Sequence, residues 1–335
     1  MKVLFLSDFF LSGQTTHVLE LAKHVQALGT DVHIAFGTIH SKLFRTYYRQ
    51  YLYQQKIPFS EGAELSRLIS LCGKFKPDLI HSQSSTLFQR AQLLSFRLGI
   101  PYILTCHGLG FNQARYRHLI QDASAAIAIG PNVAKEIDHL NSKVVVIPNG
   151  IDTERFIPPA GNTSPRKGII YVGRLAQKRI DPLKHLAQAH QEITKKPLCI
   201  ISNWNPKIPG TIFKSWQADL VPHFQNAGIV AACGRTAREA LSSGNAVLLM
   251  QQSYDGIISP GLVTRKDFDF SGNLGRFSYE QLQKDIKDLL RSTYKLRKLQ
   301  NWGRNYALTH LSSEQMAKKT LTVYQTLNFL KKSPI

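Results

Sequence analysis

Short apolar runs recur along this chain, and each gap between them leaves room for a helix. KVLFLS at 2–7, DVHIAF at 31–36, DLIHS at 78–82, YILTCH at 102–107, AAIAIG at 125–130 and KVVVIP at 143–148 read as strands. Between them lie stretches such as HVLELAKHVQALG at 17–29, where Val18, Leu21, Ala22 and Val25 share one helical face and Gly29 supplies a stop. Near-continuous apolar strands need cover on both faces, and strand–helix alternation provides it in a parallel sheet. The first half is therefore expected to be a Rossmann-like α/β domain.

The pattern breaks at PNGIDTERFIPPAGNTSPRKG, 148–168, where four prolines interrupt a stretch with no apolar periodicity. This reads as a linker. Alternation then restarts with GIIYVG at 168–173, a helix near 181–194, PLCIIS at 197–202, AGIVAA at 227–232, a helix from about Arg235, and NAVLLM at 245–250. The remainder is helical in pattern, and SSEQ at 312–315 opens its last helix as a capping sequence. The expected organisation is a Rossmann-like domain over 1–157, a second over 158–310, and a C-terminal helix, 311–335, that returns to the first domain.

A chain of 335 residues comfortably fills two such domains, and 43% hydrophobic with 19% charged residues suits proper cores. No apolar run approaches the roughly 20 residues that span a bilayer. MKVLFLSDFF reads as a first buried strand rather than a signal peptide. Cys72, Cys106, Cys199 and Cys233 are scattered without a CxxC pair, which argues against zinc and disulfides and for a reducing cytoplasm. The net charge of +20 predicts attraction to an anionic membrane surface, a nucleic acid or an acidic polymer, unless it reflects only a basic proteome.

Ligands of open parallel sheets bind beyond the carboxyl ends of the strands, so the loops there hold the candidate residues. DFFLSGQTTHV at 8–18 brings Gly13 to the start of a helix, either as a ligand approach or as an ordinary tight turn. It lacks GxGxxG and GxxxxGKS/T, which weighs against dinucleotide cofactors and P-loop chemistry. LTCHGLG at 104–110 ends a strand with His107, able to meet a phosphate or a sugar hydroxyl, or to sit in the core with a backbone partner. YVGRLAQKRID at 171–181 places Arg174, Lys178 and Arg179 just past a strand, suited to a diphosphate or to simple solvation. AACGRTAREALSSGNAVLL at 231–249 offers the backbone of Gly234, Arg235 and Thr236 to an anion at a helix start. Glu239 lies one turn further, where it can chelate ribose hydroxyls or merely complement the helix dipole.

HVLELA, PDLIHSQS, TCHGLG, VVVIPNGIDTERF, GRLAQKRID and GRTAREALSSGNAVL occur in that order. Together they resemble the family 4 glycosyltransferases, retaining enzymes of the GT-B fold, over residue 1 to about 250 and more loosely beyond. The resemblance implies two Rossmann-like domains facing a central cleft, the first on the acceptor side and the second binding the nucleotide sugar. It implies no metal and no cofactor, the donor being a nucleoside-diphosphate sugar of UDP or GDP type. Carried over, Gly13 lines the cleft, His107 contacts the transferred sugar or the donor phosphate, and Arg174 and Lys178 hold the diphosphate. Glu239 binds the ribose. The family's Glu-x7-Glu pair would place its first member at Ala231, its Arg-to-Lys spacing is longer by one, and its Gly-Gly pair appears as Ser12-Gly13. The first departure removes a carboxylate that in the family commonly touches the hexose; the second lets Arg179 replace Lys178.

SKLFRTYYRQYLYQQK at 41–56 lines up Leu43, Tyr47 and Tyr51 beside Phe44, Tyr48 and Leu52, bordered by Lys42, Arg45, Arg49 and Lys56. A basic, aromatic helix of this kind suits an anionic membrane surface, or packs inward on its own sheet. The reading is a cytoplasmic, metal-independent retaining hexosyltransferase, peripheral to the inner face of the membrane, acting on a lipid-linked or glycan acceptor in envelope glycan or glycolipid synthesis. Its rivals are a non-catalytic GT-B subunit that stabilises a partner glycosyltransferase, and a basic polyanion-binding module; nucleic acid ranks below sugar transfer as a partner.

Overall fold

The structure, a computed structural model, describes residues 1–10, 12–161, 166–217 and 219–332, with side chains of the last helix described to residue 327. Positions 162–165 of the expected linker and 333–335 of the expected C-terminal segment lie outside the described residues. The chain divides into two compact units, Met1–Gly150 with the segment from Ser313, and Ile151–Ser312. The divisions thus fall at 150/151 and 312/313, against 157/158 and 310/311 expected from the sequence.

The first unit holds β1 (Lys2–Phe9), β2 (Asp31–Ile39), β3 (Phe59–Glu61), β4 (Leu79–Ser82), β5 (Tyr102–Cys106), β6 (Ala125–Ala128) and β7 (Val144–Val146). They form a parallel sheet in the order β3-β2-β1-β4-β5-β6-β7. Successive β1 side chains alternate between its two faces. Val3 and Phe5 join a core with Val18, Leu21, Val25 and the C-terminal Met316, Tyr324 and Leu327. Leu4 and Leu6 join another with Phe88, Leu94 and Leu104. The helices Gly13–Ala27 and Ser313–Lys332 cover the first face, so the tail is part of this unit's core.

The second unit holds β8 (Ile169–Val172), β9 (Leu198–Ile201), β10 (Thr211–Lys214), β11 (Ile229–Ala232), β12 (Ala246–Met250) and β13 (Tyr254–Ile257), ordered β10-β9-β8-β11-β12-β13. One edge departs from the expected all-parallel sheet, because β13 runs antiparallel to β12. Only positions 251–253 join them, and a parallel crossover needs about a dozen residues or more. In each sheet the strand order reverses beside the first strand, between β1 and β4 and between β8 and β11. That reversal is where open α/β sheets take their ligands.

The segment 41–56 is a correction. A wide π-helical turn, Phe44–Tyr48, leads into a short helix, Arg49–Gln54. Phe44 and Leu52 are fully buried, Tyr48 and Tyr51 pack on the same core, and Phe9 meets the Phe44 and Tyr48 rings edge to face at 4.9 Å. The aromatic stripe faces the protein's own sheet, and Arg49 lies 3.8 Å from Glu61. Only Tyr47 and Tyr53 of its aromatic residues are strongly exposed.

Candidate active site

In the first unit the site grows from the ends of β1, β4 and β5. Ser12 caps the Gly13–Ala27 helix, its hydroxyl accepting the Gln14 N–H at 3.2 Å, and Gly13 is that helix's exposed first residue. The Gln14 carboxamide donates to the Gln83 carbonyl at 2.9 Å and to the Ser84 hydroxyl at 2.6 Å, tying the helix start to the loop after β4. Within β4, His81 is fully buried, its Nδ1 2.6 Å from the Tyr324 hydroxyl and its Nε2 2.7 Å from Thr105 Oγ1. Gln83 Nε2 lies 3.2 and 3.1 Å from the two His81 ring nitrogens, while its Oε1 accepts from His107 Nε2 at 3.0 Å. His107 also meets the His17 ring edge to face at 4.7 Å.

Burial pushes the His107 pKa down to about 3 and that of His81 equally, His107 adding to the fall at His81. Both are neutral near pH 7. Because Gln83 Oε1 can only accept, His107 carries its proton on Nε2. Its Nδ1 is sealed from solvent with no hydrogen-bond partner. Without a ligand, His107 is therefore neutral and offers a nitrogen acceptor.

In the second unit the chain turns after β8 at Gly173, and buried Leu175 anchors the turn, its N–H donating to Asn203 Oδ1 at 2.6 Å. Arg174 and Lys178 are exposed, whereas Arg179 is half-buried. Arg179 Nη1 donates to the Arg174 carbonyl, and the Gln251 amide, turned so that its oxygen faces the guanidinium, accepts from Arg179 Nε at 3.3 Å. Burial raises the Cys233 thiol to about 11, with the charge of Arg179 acting against the rise. Arg179 thus reaches toward the ends of β11 and β12, while Lys178 stays exposed.

The helix Gly234–Ser242 starts straight after β11, and Gly234 takes φ +58°, a left-handed backbone suited to glycine. Its N–H does not point to an open anion position as expected. It donates to the Phe270 carbonyl at 2.6 Å. The loop that brings Phe270 there is held by fully buried Asp255, which accepts the N–H groups of Leu274 and Arg276 at 3.0 and 3.2 Å. Arg235 and Thr236 stand in the first turn, both half-buried. Glu239 is buried and bound by Arg235, Nε to Oε1 at 2.7 Å, so it does more than complement a dipole. Arg238 stacks over Phe270 at 4.5 Å, and burial, then the Arg235 charge, lowers its pKa to about 10. Ala231 lies inside β11 with no exposure. A carboxylate at that position would sit in the core, because the strand runs directly into the helix without an intervening loop.

The sequence pointed to His107 but not to its supports. His81 had a signal, a polar residue in an apolar strand. Tyr324 had none, since 243 positions separate it from His81. Among the described residues no cluster of three or more His, Cys, Asp or Glu side chains is arranged for a metal.

Residues 11–155 match the family model described as Glycosyltransferase Family 4. None of the curated proteins compared with the sequence matches it significantly. Among solved structures, a glycosyltransferase from Rickettsia africae is similar over 99% of both chains, with a TM-score of 0.74 and 16% identity. Anabaena HepE in complex with UDP and glucose is similar over 97% of this chain and 100% of its own, at 0.74 and 14%. S. aureus TarM in a complex that contains UDP is similar over 97% and 100%, at 0.72 and 10%. The fold is GT-B. The resemblance to family 4 glycosyltransferases read from the sequence is borne out by the family model over residues 11–155, and the GT-B fold by similar solved structures along the whole length. Among the described residues of this GT-B chain, no helix is long and apolar enough to cross a membrane.

Proposed function

We propose that this GT-B protein transfers a hexose, with retention, from a UDP-type nucleoside-diphosphate sugar to an acceptor hydroxyl. The observation that carries the reading is the charge arrangement at the second sheet's reversal point. Arg174 and Arg179 follow β8, and a buried carboxylate, Glu239, lies one helical turn beyond β11. Guanidinium groups suit a leaving diphosphate, and their charge acts most strongly where negative charge develops in the transition state. Glu239 suits the ribose hydroxyls once Arg235 shares it. UDP in the HepE and TarM complexes supports the choice of base.

In this reading the first unit supplies His107 as a neutral acceptor for a sugar hydroxyl. The sugar passes through an oxocarbenium-like state with attack and departure on one face. Positioning and leaving-group stabilisation do the chemistry, without a bound metal or cofactor. The acceptor is a lipid-linked or other envelope glycan precursor, met from the cytoplasm at the inner membrane face.

A panel of UDP- and GDP-sugars in a thermal-shift assay tests this. A donor at 100 times its Kd should add about 2.7 kcal/mol of stability, and turnover with that donor should release the free diphosphate. No shift with any nucleotide sugar sinks the reading. Binding without transfer or hydrolysis favours a non-catalytic GT-B subunit, the alternative suggested by Ala231 in the place of the family's first glutamate.

A further inference from the structure

We propose that Tyr324, on the C-terminal helix, is a positioning residue for His107. By way of His81 and Gln83 it holds that imidazole as the Nε2–H tautomer and leaves Nδ1 to accept from a substrate hydroxyl. The consequence for turnover rests on the sugar-transfer reading above; the tautomer itself does not.

The relay follows atom by atom. His81 is gripped by two hydroxyls, Tyr324 at Nδ1 and Thr105 at Nε2, at 2.6 and 2.7 Å. With both nitrogens engaged, the ring cannot turn without breaking a buried hydrogen bond. Gln83 places its amide nitrogen against this ring, 3.1 Å from Nε2. The opposite end of the same planar amide must then present oxygen, and that oxygen meets His107 Nε2. An acceptor there fixes the proton on Nε2 and strips it from Nδ1.

The stripped Nδ1 is buried and unsatisfied, a state that costs the free protein stability. A ligand hydroxyl that reaches it through a small shift of the ring removes that cost. A phosphate oxygen would meet lone pair against lone pair, so of the two ligands expected for His107 the hydroxyl fits. Tyr324 is itself almost fully buried, in the core shared with the Gly13–Ala27 helix, which keeps its hydroxyl from wandering.

The test is two-bond 1H–15N spectroscopy of the full chain labelled in histidine nitrogen, with His107 assigned through His107→Gln. The parent should show a protonated Nε2 and a bare Nδ1. Tyr324→Phe keeps the ring and loses the hydroxyl; Gln83→Met removes the amide. Both should shift His107 toward the other tautomer. Gln83→Glu, which can still accept from Nε2–H, should keep the parental tautomer. With a competent donor, Tyr324→Phe should lower kcat about fivefold, the worth of one ordinary hydrogen bond, and leave affinity for bare UDP unchanged. Should Tyr324→Phe fail to fold, Gln83→Met reads the same link from its other end. A parent protonated on Nδ1, a folded Tyr324→Phe that keeps the parental tautomer, or a Gln83→Met that does so overturns the proposal. If the chain transfers no sugar at all, the spectra still decide whether the relay exists.

Discussion

The two sheets share the order of their first six strands and reverse at equivalent places, yet the carboxyl ends of their strands are built from opposite materials. The first is a dry lattice of imidazole, amide and hydroxyl groups, in which His81, Gln83 and Thr105 are each at most 1% exposed. The second is a cationic surface, with Arg174 exposed, Arg179 half-buried and the buried Glu239 paired to Arg235. Neutral groups hold a geometry only when each is gripped by another, so the first site draws partners from β4, β5, the Gly13–Ala27 helix and the C-terminal helix. Charges act through space and tolerate looser placement. The second site is accordingly assembled largely from two local stretches, 173–181 and 233–239. Precision lies in one unit and field strength in the other.

The largest expected effect tests the charged side. Arg174→Ala should cost about 2–4 kcal/mol of transition-state stabilisation, roughly 30- to 1000-fold in kcat/KM, with an unchanged melting temperature because the side chain is exposed. Arg179→Ala should cost a similar amount and also lower the melting temperature, since its guanidinium bonds the Arg174 carbonyl. Lys178→Ala should cost far less than either. Equal losses for Lys178 and Arg179 would show that the half-buried cation is not the one that matters.

The neutral side is tested by acid. His107 has its folded pKa depressed to about 3 from 6.5, so below 6.5 the unfolded chain binds a proton that the folded chain refuses. Stability therefore falls as pH drops from 6.5 toward 3, by about 2 kcal/mol near pH 5 for this one group, and His81 acts in the same direction. The three tryptophans, Trp204, Trp216 and Trp302, all lie in the second unit. Burial also lowers the pKa of His190 and His223 in the second unit, so on acidification tryptophan fluorescence should shift its transition less than circular dichroism does. Coincident transitions near pH 5 and near pH 7 would break the contrast between the units.

The smallest effect concerns the buried Glu239 on the charged side. Glu239→Gln should weaken bare UDP about tenfold by calorimetry, the loss of a charge-assisted hydrogen bond, with only a modest drop in melting temperature because the amide can still accept from Arg235. Unaltered UDP affinity would assign Glu239 to its arginine and the helix dipole alone.

The same contrast explains what was legible in the sequence. Buried strands such as β1, β5 and β12 announced themselves as apolar runs, and the Arg174–Arg179 cluster as charges after a strand. The strands β3, β10 and β13 escaped notice because edge strands are short and carry polar residues such as Ser60, Lys214 and Asp255. The stripe around Phe44 and Leu52 was visible, but amphipathicity does not say which apolar surface it meets, and the sheet won over the membrane. The Phe270 carbonyl on Gly234 could not be foreseen, since it depends on a loop fixed by Asp255. His107 was named, but nothing local tied it to Tyr324.

The course of the chain bears on how the protein is made. The second unit, Ile151–Ser312, is one continuous stretch and can close as soon as it has been synthesised. The first cannot, because Met316, Ala317, Tyr324 and Leu327 belong to its core and emerge only afterwards. At about 5–20 residues per second, the nascent first unit waits roughly 10–30 s with the apolar flank of the Gly13–Ala27 helix uncovered. A ribosome that stalls late in this interval, beyond Ser312, leaves a chain whose later half is folded and whose earlier half is not. That makes the earlier half the part in need of a chaperone, and the last helix the piece that ends the need.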